Sequence, residues 1–488
     1  MTFFSDRFGV DADVLEQYGA LDVSLVADLP LFIDPFLLFN SKKTEYRRLH
    51  DELIRYLIFL RDKSQKGDVS DALLRAWYCF PEVKQTWLGF SLEGNKGSGL
   101  GIDFARSLHQ NLHRLFPKFG VEKITKGSHI EKVCLIRDGV GRDNISDFVT
   151  NLIKDFLCTY TEAFATENLK PDQVRVIGIN NALFNYETES WISTQYTLPW
   201  TGNNYVILSP KDLLTRDENW INKHDLLRRF EEIPPAISDE QLRGLVSNYF
   251  ERMLPRYQKK EPSAKEYAEA ARQTILQFPD LIDYYIRSKE DRGDQATSIA
   301  SEKVRLTEQL LIKQLKELQR LLERNTSFYS ISGNTYEEAQ ERVAFLKDVI
   351  ENKGGHRLFY NGGQPIQREL DLQIAYRLVW YGSPSDVSTE VNDGRGPADF
   401  KIARGAADKT IVEMKLAKNS HLKRNLQRQA EIYKAASDAA RAIKVILFFS
   451  AEEEERVAGI LTELGLTNDK DIVLIDARAD NKPSGSKA

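Results

Sequence analysis

In residues 410–415, TIVEMK, apolar and charged side chains alternate from Val412 to Lys415. Successive side chains of a β-strand point to opposite faces of the sheet. Glu413 and Lys415 therefore share one face of the predicted strand, and Val412 and Met414 pack on the opposite face. A chain that contains this strand must bury one face and carry a carboxylate and an ammonium group on the other.

This strand is the second arm of a predicted hairpin. Residues 404–409, RGAADK, contain the glycine and the aspartate that are typical of a tight turn. The hairpin brings Asp399 beside Glu413, and two adjacent carboxylates repel each other unless a cation joins them. Mg²⁺ suits such a pair, because it prefers oxygen ligands and keeps positions open for water and phosphate. Lys415 adds a compact positive charge nearby.

The order of these residues resembles the PD-(D/E)xK nuclease superfamily. Asp399 matches the aspartate of its pattern, and Glu413 and Lys415 match the Glu-x-Lys. This chain departs from the pattern in one respect, because Ala398 separates Pro397 from Asp399. The proline before the aspartate is itself variable in the family. The resemblance implies that Asp399, Glu413 and the Met414 carbonyl hold Mg²⁺, for which Mn²⁺ can substitute.

A second motif extends this resemblance over the last quarter of the chain. Gln429 and Tyr433 form a QxxxY pattern, which is similar to the RecB-like and related defence-nuclease branches. Their spacing places them one turn apart on one helix face. The resemblance implies that Lys415 orients or helps to deprotonate the attacking water. Gln429 and Tyr433 would steady the substrate backbone or Lys415 itself.

In many members of the superfamily, an acid from the first helix also reaches the metal. A helix predicted over residues 365–381 carries Glu369 beside its apolar stripe, and the resemblance makes Glu369 the candidate fourth metal ligand. A solvated helix glutamate is the alternative interpretation. Asp371 and Glu390 are the other acids that could take this place.

A basic cluster follows the Glu-x-Lys strand, with no acid among its residues. Such a cluster favours contact with the phosphates of a nucleic acid, and the alternative is an ordinary basic helix start. Its members are Lys418, His421, Lys423, Arg424 and Arg428.

Composition bounds the remaining possibilities. A chain of 488 residues with 42% hydrophobic and 28% charged residues predicts two or three globular domains. The net charge of −5 requires any nucleic-acid binding to come from a local patch. Three scattered cysteines without CxxC spacing favour a reducing cytoplasm. No membrane span or signal peptide is predicted.

We therefore predict an α+β multidomain protein. A mixed α/β domain occupies residues 1–254, a helical connector residues 255–354, and a disordered tail residues 479–488. By the resemblance, residues 355–478 form a restriction-endonuclease-like αβββαβ core. In the connector, four leucines with heptad spacing indicate either packing on a neighbouring helix or self-association into a homo-oligomer: Leu311, Leu315, Leu318 and Leu322.

Two features of the N-terminal domain have a functional and a structural interpretation. Glycines within residues 94–105 could admit a phosphate, although the Gly-Lys-Ser/Thr ending of a P-loop is absent, which favours a turn. His109 and His113, one helical turn apart, could hold a metal. Because no third ligand lies near them in sequence, a histidine pair on the surface or in a partly buried helix is favoured.

Together these observations predict a metal-dependent deoxyribonuclease, with internal cutting favoured over end cutting. The layout resembles bacterial anti-phage proteins such as the Shedu-type nucleases, which implies an N-terminal domain that binds a trigger. One alternative is a catalytically silent protein that uses the fold to bind nucleic acid or a partner. The other is an N-terminal nucleotide sensor with a nuclease effector.

The paired carboxylates generate the first prediction. We expect DNA cleavage with Mg²⁺ or Mn²⁺ but not with Ca²⁺, because Ca²⁺ prefers more ligands at longer distances and activates water poorly. The measurement is incubation of the protein with linear, circular and single-stranded DNA in each ion. Full cleavage in EDTA would contradict it.

Overall fold

The computed structural model describes residues 3–26, 28–89, 101–115, 119–136, 142–216, 218–255, 261–327, 333–361, 363–380, 386–392, 397–404, 408–427 and 441–482. Their helices and strands confirm the expected α+β class, in which helices predominate. In the described part of the chain, no helix is both long enough and apolar enough to span a bilayer.

The N-terminal part packs helices around two small antiparallel sheets, β1 with β4 and β2 with β3. Its helices are α1 (Phe4–Phe8), α2 (Ala12–Tyr18), α3 (Pro35–Phe39), α4 (Thr44–Gln65), α5 (Asp71–Tyr78), α6 (Ile102–Leu115), α7 (Lys132–Ile136), α8 (Arg142–Leu152), α9 (Lys154–Asn168), α10 (Lys223–Arg228) and α11 (Glu240–Met253). Its strands are β1 (Phe32–Ile33), β2 (Val174–Asn185), β3 (Ser190–Pro199) and β4 (Leu214–Thr215).

Local sequence explains much of this part, and two elements differ from expectation. A single helix is predicted over residues 145–165, but the chain breaks at Ile153, whose ψ of 18° lies outside the helical range. The strand predicted over residues 174–179 continues to residue 185 and pairs with β3. The sequence predicts two short strands or a hairpin around residues 201–204, and a single bridge between Trp200 and Tyr205 closes this turn.

The connector is helical as expected: α12 (Ala264–Gln277), α13 (Leu281–Glu290), α14 (Gly293–Glu308), a π-helical segment (Gln309–Gln314), α15 (Leu315–Asn325) and α16 (Thr335–Asn352). The four seam leucines are at most 2% exposed and belong to the largest apolar core of the chain. The seam therefore packs within the chain, and the interpretation that it joins protomers is wrong. The Lys353-Gly354-Gly355 sequence predicts the end of a helix, and α16 does end there: Gly354 follows the C-cap residue Lys353 with φ of +79°.

The C-terminal part is built on a five-stranded sheet in the order β11-β10-β9-β8-β7. Its elements are β5 (Tyr360–Asn361), β6 (Gln364–Pro365), α17 (Glu369–Val379), β7 (Asp386–Asn392), β8 (Pro397–Arg404), β9 (Asp408–Leu416), β10 (Arg441–Phe448), α18 (Ala451–Glu463) and β11 (Ile472–Asp476). β7, β8 and β9 form an antiparallel meander, and β10 runs parallel to β9 and β11. Residues 422–427 are helical.

Helices cover both faces of this sheet. Val412 and Met414 of β9 join the core that contains residues of α15, α16 and α17. On the other side, Ile446 of β10 packs with Leu422 and with Val457 of α18. The sheet is therefore the middle layer of three, and strand β9 has little exposure to water on either face.

Three boundaries in the structure differ from those predicted from the sequence. Helix α17 begins at Glu369, because Pro365 pairs with Tyr360 in the short β5–β6 sheet. Helix α16 belongs with the C-terminal sheet rather than with the connector, since Thr335 donates a 2.6 Å hydrogen bond to Asp408 of β9. Asn481, in the predicted disordered tail, donates a 2.7 Å hydrogen bond to Asp476; residues 483–488 lie outside the described part.

The position of the leucine seam generates the second prediction. We expect Leu315→Glu to lower the free energy of unfolding by about 3 kcal/mol or more, because it buries an unpaired carboxylate. Urea unfolding followed by circular dichroism measures the change, and Arg324→Glu on the exposed face of α15 is the control. If Leu315→Glu were as stable as the wild type but had a lower mass by light scattering, the leucine seam would have to lie between copies of the chain.

Candidate active site

In strand β9, Glu413 and Lys415 lie on one face and Val412 and Met414 on the other, as the alternation in the sequence predicts. Val412 and Met414 are fully buried on the apolar face. On the opposite face Glu413 is 8% exposed, and the side chain of Lys415 is 17% exposed. A carboxylate and an ammonium group thus share a largely covered face of the sheet, where charges need partners.

Glu369 provides one of these partners. It is the first residue of α17, a position where the helix dipole favours a negative charge. Its Oε2 lies 3.5 Å from Nζ of Lys415. Its Oε1 accepts hydrogen bonds from the main-chain N–H of Leu416, at 3.3 Å, and from Nδ2 of Asn419, at 2.6 Å. The acid of the first helix therefore meets the end of the Glu-x-Lys strand.

The turn that carries Asn419 is itself held in place from α18. Arg456 donates a 3.1 Å hydrogen bond to the carbonyl of Ala417 and a 2.8 Å hydrogen bond to the carbonyl of Asn419. The guanidinium therefore fixes the chain just after β9. This positions the Asn419 amide that orients Glu369.

The two alternative acids do not take this place in the described structure. Asp371 is 6% exposed and forms a buried ion pair with Arg216 of the N-terminal part. Arg368 lies 3.8 Å away on the same carboxylate. Residues two apart on a helix point about 200° apart, which is why Glu369 and Asp371 have different neighbours. The side chain of Glu390 lies outside the described part.

Lys444 is a site residue that the sequence reasoning missed. It stands opposite Glu413 in the parallel register of β9 and β10 and is 7% exposed. Burial lowers the pKa of Lys444, while the charges of Glu413 and Asp469 act in the opposite direction. The signal available was a lone lysine inside the otherwise apolar run 442–448.

Other predicted residues are placed only in part. Asp399 is next to Phe400 in β8, and Phe400 pairs with Val412 of β9, so the backbone of Asp399 directly adjoins the last paired position. Its side chain lies outside the described part. The same holds for all atoms of Gln429 and Tyr433, which stay predictions.

The donor set fits a hard divalent cation. Glu413, Glu369 and the Met414 carbonyl offer oxygen ligands, and neither cysteine nor histidine is among them, which suits Mg²⁺ better than Zn²⁺. Among the described residues, no group of three or more His, Cys, Asp or Glu side chains is arranged for a metal. Completion of the site therefore depends on Asp399.

Two residues of the basic cluster have partners within the chain, and two others are exposed. Lys418 donates hydrogen bonds of 3.1 Å to the carbonyl of Ile366 and 2.6 Å to Gln367. Lys423 pairs with Glu463 of α18. His421 and Arg424 are exposed, and Arg428 lies outside the described residues.

The histidine pair of α6 has structural partners. His109 Nδ1 lies 3.0 Å from the hydroxyl of Tyr78, and its Nε2 lies 3.0 Å from the carbonyl of Gly67. His113 Nδ1 lies 2.7 Å from the hydroxyl of Ser64. Both imidazoles hold helices together, as the structural interpretation expected. The glycine-rich residues 94–100 lie outside the described part.

Comparison with known proteins identifies two regions. Residues 9–222 match a family model described as Domain of unknown function (DUF8370), and residues 335–451 match one described as Domain of unknown function (DUF8371). No curated protein and no solved structure matches the chain. The second match begins where α16 begins, at Thr335, and it covers the strands β7 to β10.

The different partners of the two α17 acids generate the third prediction. We expect Asp371→Asn to lower the free energy of unfolding by about 3–5 kcal/mol, because it removes a carboxylate charge from a buried ion pair with Arg216. Glu369→Gln should change it by about 1 kcal/mol or less, since the partly exposed amide keeps an acceptor for Asn419. Urea unfolding of both variants is the measurement. Equal losses would show that Glu369 is a structural residue.

Proposed function

We propose that this protein is a metal-dependent nuclease that hydrolyses phosphodiester bonds of DNA. The observation that carries the proposal is the approach of Glu369 to Lys415, with 3.5 Å between Oε2 and Nζ. An acid from the helix before the sheet meets the Glu-x-Lys strand at its end. Of the three acids that the sequence offered for this role, this is the one whose described contacts lead to β9.

The order of elements supports the same proposal. Helix α17 is followed by the meander β7, β8 and β9, then by the helical residues 422–427 and by β10 parallel to β9. This order agrees with the αβββαβ core that the sequence resemblance implies. Asp399 belongs to β8 and Glu413 to the neighbouring β9. We infer that their two carboxylates share one cation.

Each residue of the proposed site has a role that follows from its chemistry. Glu413, Glu369, the Met414 carbonyl and Asp399 would hold the cation. When bound, Mg²⁺ would supply a Lewis acid and a water of lowered pKa. Lys415 would orient that water or take up its proton.

Glu369 would also position Lys415, because its carboxylate faces the ammonium group. Lys444 would balance the charge of Glu413 from the neighbouring strand. Gln429 and Tyr433 would steady the DNA backbone.

The surroundings favour a polyanionic substrate. His421 and Arg424 are exposed just beyond β9, where they could contact phosphates on either side of the cut. Lys423 is paired with Glu463 at the surface, and such pairs are weak enough to exchange for a phosphate. The proposed nuclease cuts within DNA strands and acts in bacterial anti-phage defence in the cytoplasm. Its N-terminal domain would bind the molecule that triggers it, and the protein would act as a homo-oligomer.

The fourth prediction tests this function. We expect Lys415→Ala to lower the rate of DNA cleavage at least about 100-fold, in the range of lost proton-transfer catalysis, while Mn²⁺ binding is retained. Glu413→Gln should abolish cleavage and weaken Mn²⁺ binding at least tenfold, because it removes a ligand. Gel assays measure cleavage and calorimetry measures Mn²⁺ binding.

Lys409→Ala is the matched control, because Lys409 lies on the same strand and the same face about 20 Å from Lys415. It should cleave within twofold of the wild type. DNA binding without cleavage in any metal would favour the catalytically silent alternative. Unchanged cleavage by Lys415→Ala would remove the Glu-x-Lys strand from the mechanism.

A further inference from the structure

A second site candidate lies in the N-terminal part, far along the chain from β9. One face of α4 and the segment 120–128 enclose a cleft of about 500 Å³. We propose that this cleft binds an organic phosphate with an apolar or aromatic body, the class of the nucleoside phosphates. The volume lies in the range of sites that enclose small organic molecules.

Helix α4 supplies the cationic side of the cleft. Arg47 and Arg55 both line it and are exposed. They are eight residues apart, or about 12 Å along the helix axis, a distance that long side chains can close on one phosphate chain. Arg47 has no ion-pair partner among the described residues. The guanidinium of Arg55 lies 3.9 Å from the ring centroid of Tyr186, which orients it.

The acids of the cleft do not cancel these charges. Glu122 is already satisfied, because it accepts a 2.9 Å hydrogen bond from Gly120 N–H and a 2.7 Å ion pair from Lys132, together with a bond from Ser128. Lys126 is balanced by Asp291 at 2.7 Å. Asp51 is the remaining acid of the lining, and Glu52 beside it interacts with Arg55 from outside the cleft, so among the lining residues two arginines face one acid whose charge is not already paired.

Part of the lining of the cleft is apolar and suits an apolar body. Ile54 lies between the two arginines on α4, Ile58 lies one turn beyond Arg55, and Phe39 of α3 also lines the cleft. His50 is a buried polar residue of the lining, and burial together with His129 lowers its pKa to about 3, so its imidazole is neutral. A ligand would thus meet both guanidinium groups and apolar side chains on α4, with the neutral imidazole of His50 between them in sequence.

The wall opposite α4 is fixed before any ligand arrives. The buried carboxylate of Glu290, at the end of α13, accepts hydrogen bonds from the N–H groups of Lys126, at 2.7 Å, and Gly127, at 3.1 Å. His129 Nε2 lies 2.9 Å from the same carboxylate. A Cβ on Gly127 would come within 2.7 Å of Phe39, so the glycine allows the wall to close on that ring. A preformed cleft avoids the cost of ordering on binding.

The test is calorimetric titration of the full protein in EDTA with ATP, adenosine and tripolyphosphate. EDTA keeps metal away from the β9 site, so the result is independent of nuclease activity. We expect saturable ATP binding, with adenosine and tripolyphosphate each at least tenfold weaker. No saturation with ATP, or tripolyphosphate binding as tightly as ATP, overturns the proposal.

Variants then locate the site. Arg47→Ala and Arg55→Ala should each weaken ATP binding at least fivefold, while DNA cleavage without added nucleotide stays unchanged. Arg48→Ala is the matched control, because Arg48 is exposed on α4 next to Arg47 but does not line the cleft; it should bind ATP within twofold of the wild type. Circular dichroism checks that each variant is folded. Unchanged ATP binding by both cleft variants would place the ligand elsewhere and overturn the assignment.

Discussion

The covered position of strand β9 is the constraint on which the C-terminal part depends. The strand has helices on both sides, yet it carries a carboxylate and an ammonium group on one face. Charges in such a place are stable only when partners surround them. Lys444 stands opposite Glu413 on β10, and Glu369 faces Lys415 from α17. The same arrangement that makes the charges tolerable also concentrates oxygen ligands and a lysine at one end of the sheet.

The candidate site also depends on the N-terminal part. Helix α17 is held by the buried ion pair between Asp371 and Arg216. Arg216 is held in turn from α14, because Lys303 donates a 3.0 Å hydrogen bond to its carbonyl. Since Glu369 begins the same helix, contacts more than one hundred residues away in sequence fix where its carboxylate lies. This continuity gives the N-terminal part a physical means to influence the site.

Several parts of the fold follow from local patterns, and others do not. The β8–β9 hairpin, the burial of the leucine seam and the glycine that ends α16 rest on alternation, heptad spacing and a positive φ, all of which act within a few residues. The start of α17 was misplaced because Pro365 is a favourable first helical residue. Here it pairs with Tyr360 instead, and local sequence gives no sign of that partner.

The sequence by itself determined that Glu413 and Lys415 share a strand face, because alternation is a property of the extended backbone. Only the tertiary structure decided which acid joins them. Glu369 and Asp371 both stand in the first turn of α17, and local rules do not separate them. Arg216, 155 residues away from Asp371, pairs with that acid, whereas Asn419 orients Glu369. Buried charges take the partners that folding brings to them, and these partners are distant in sequence.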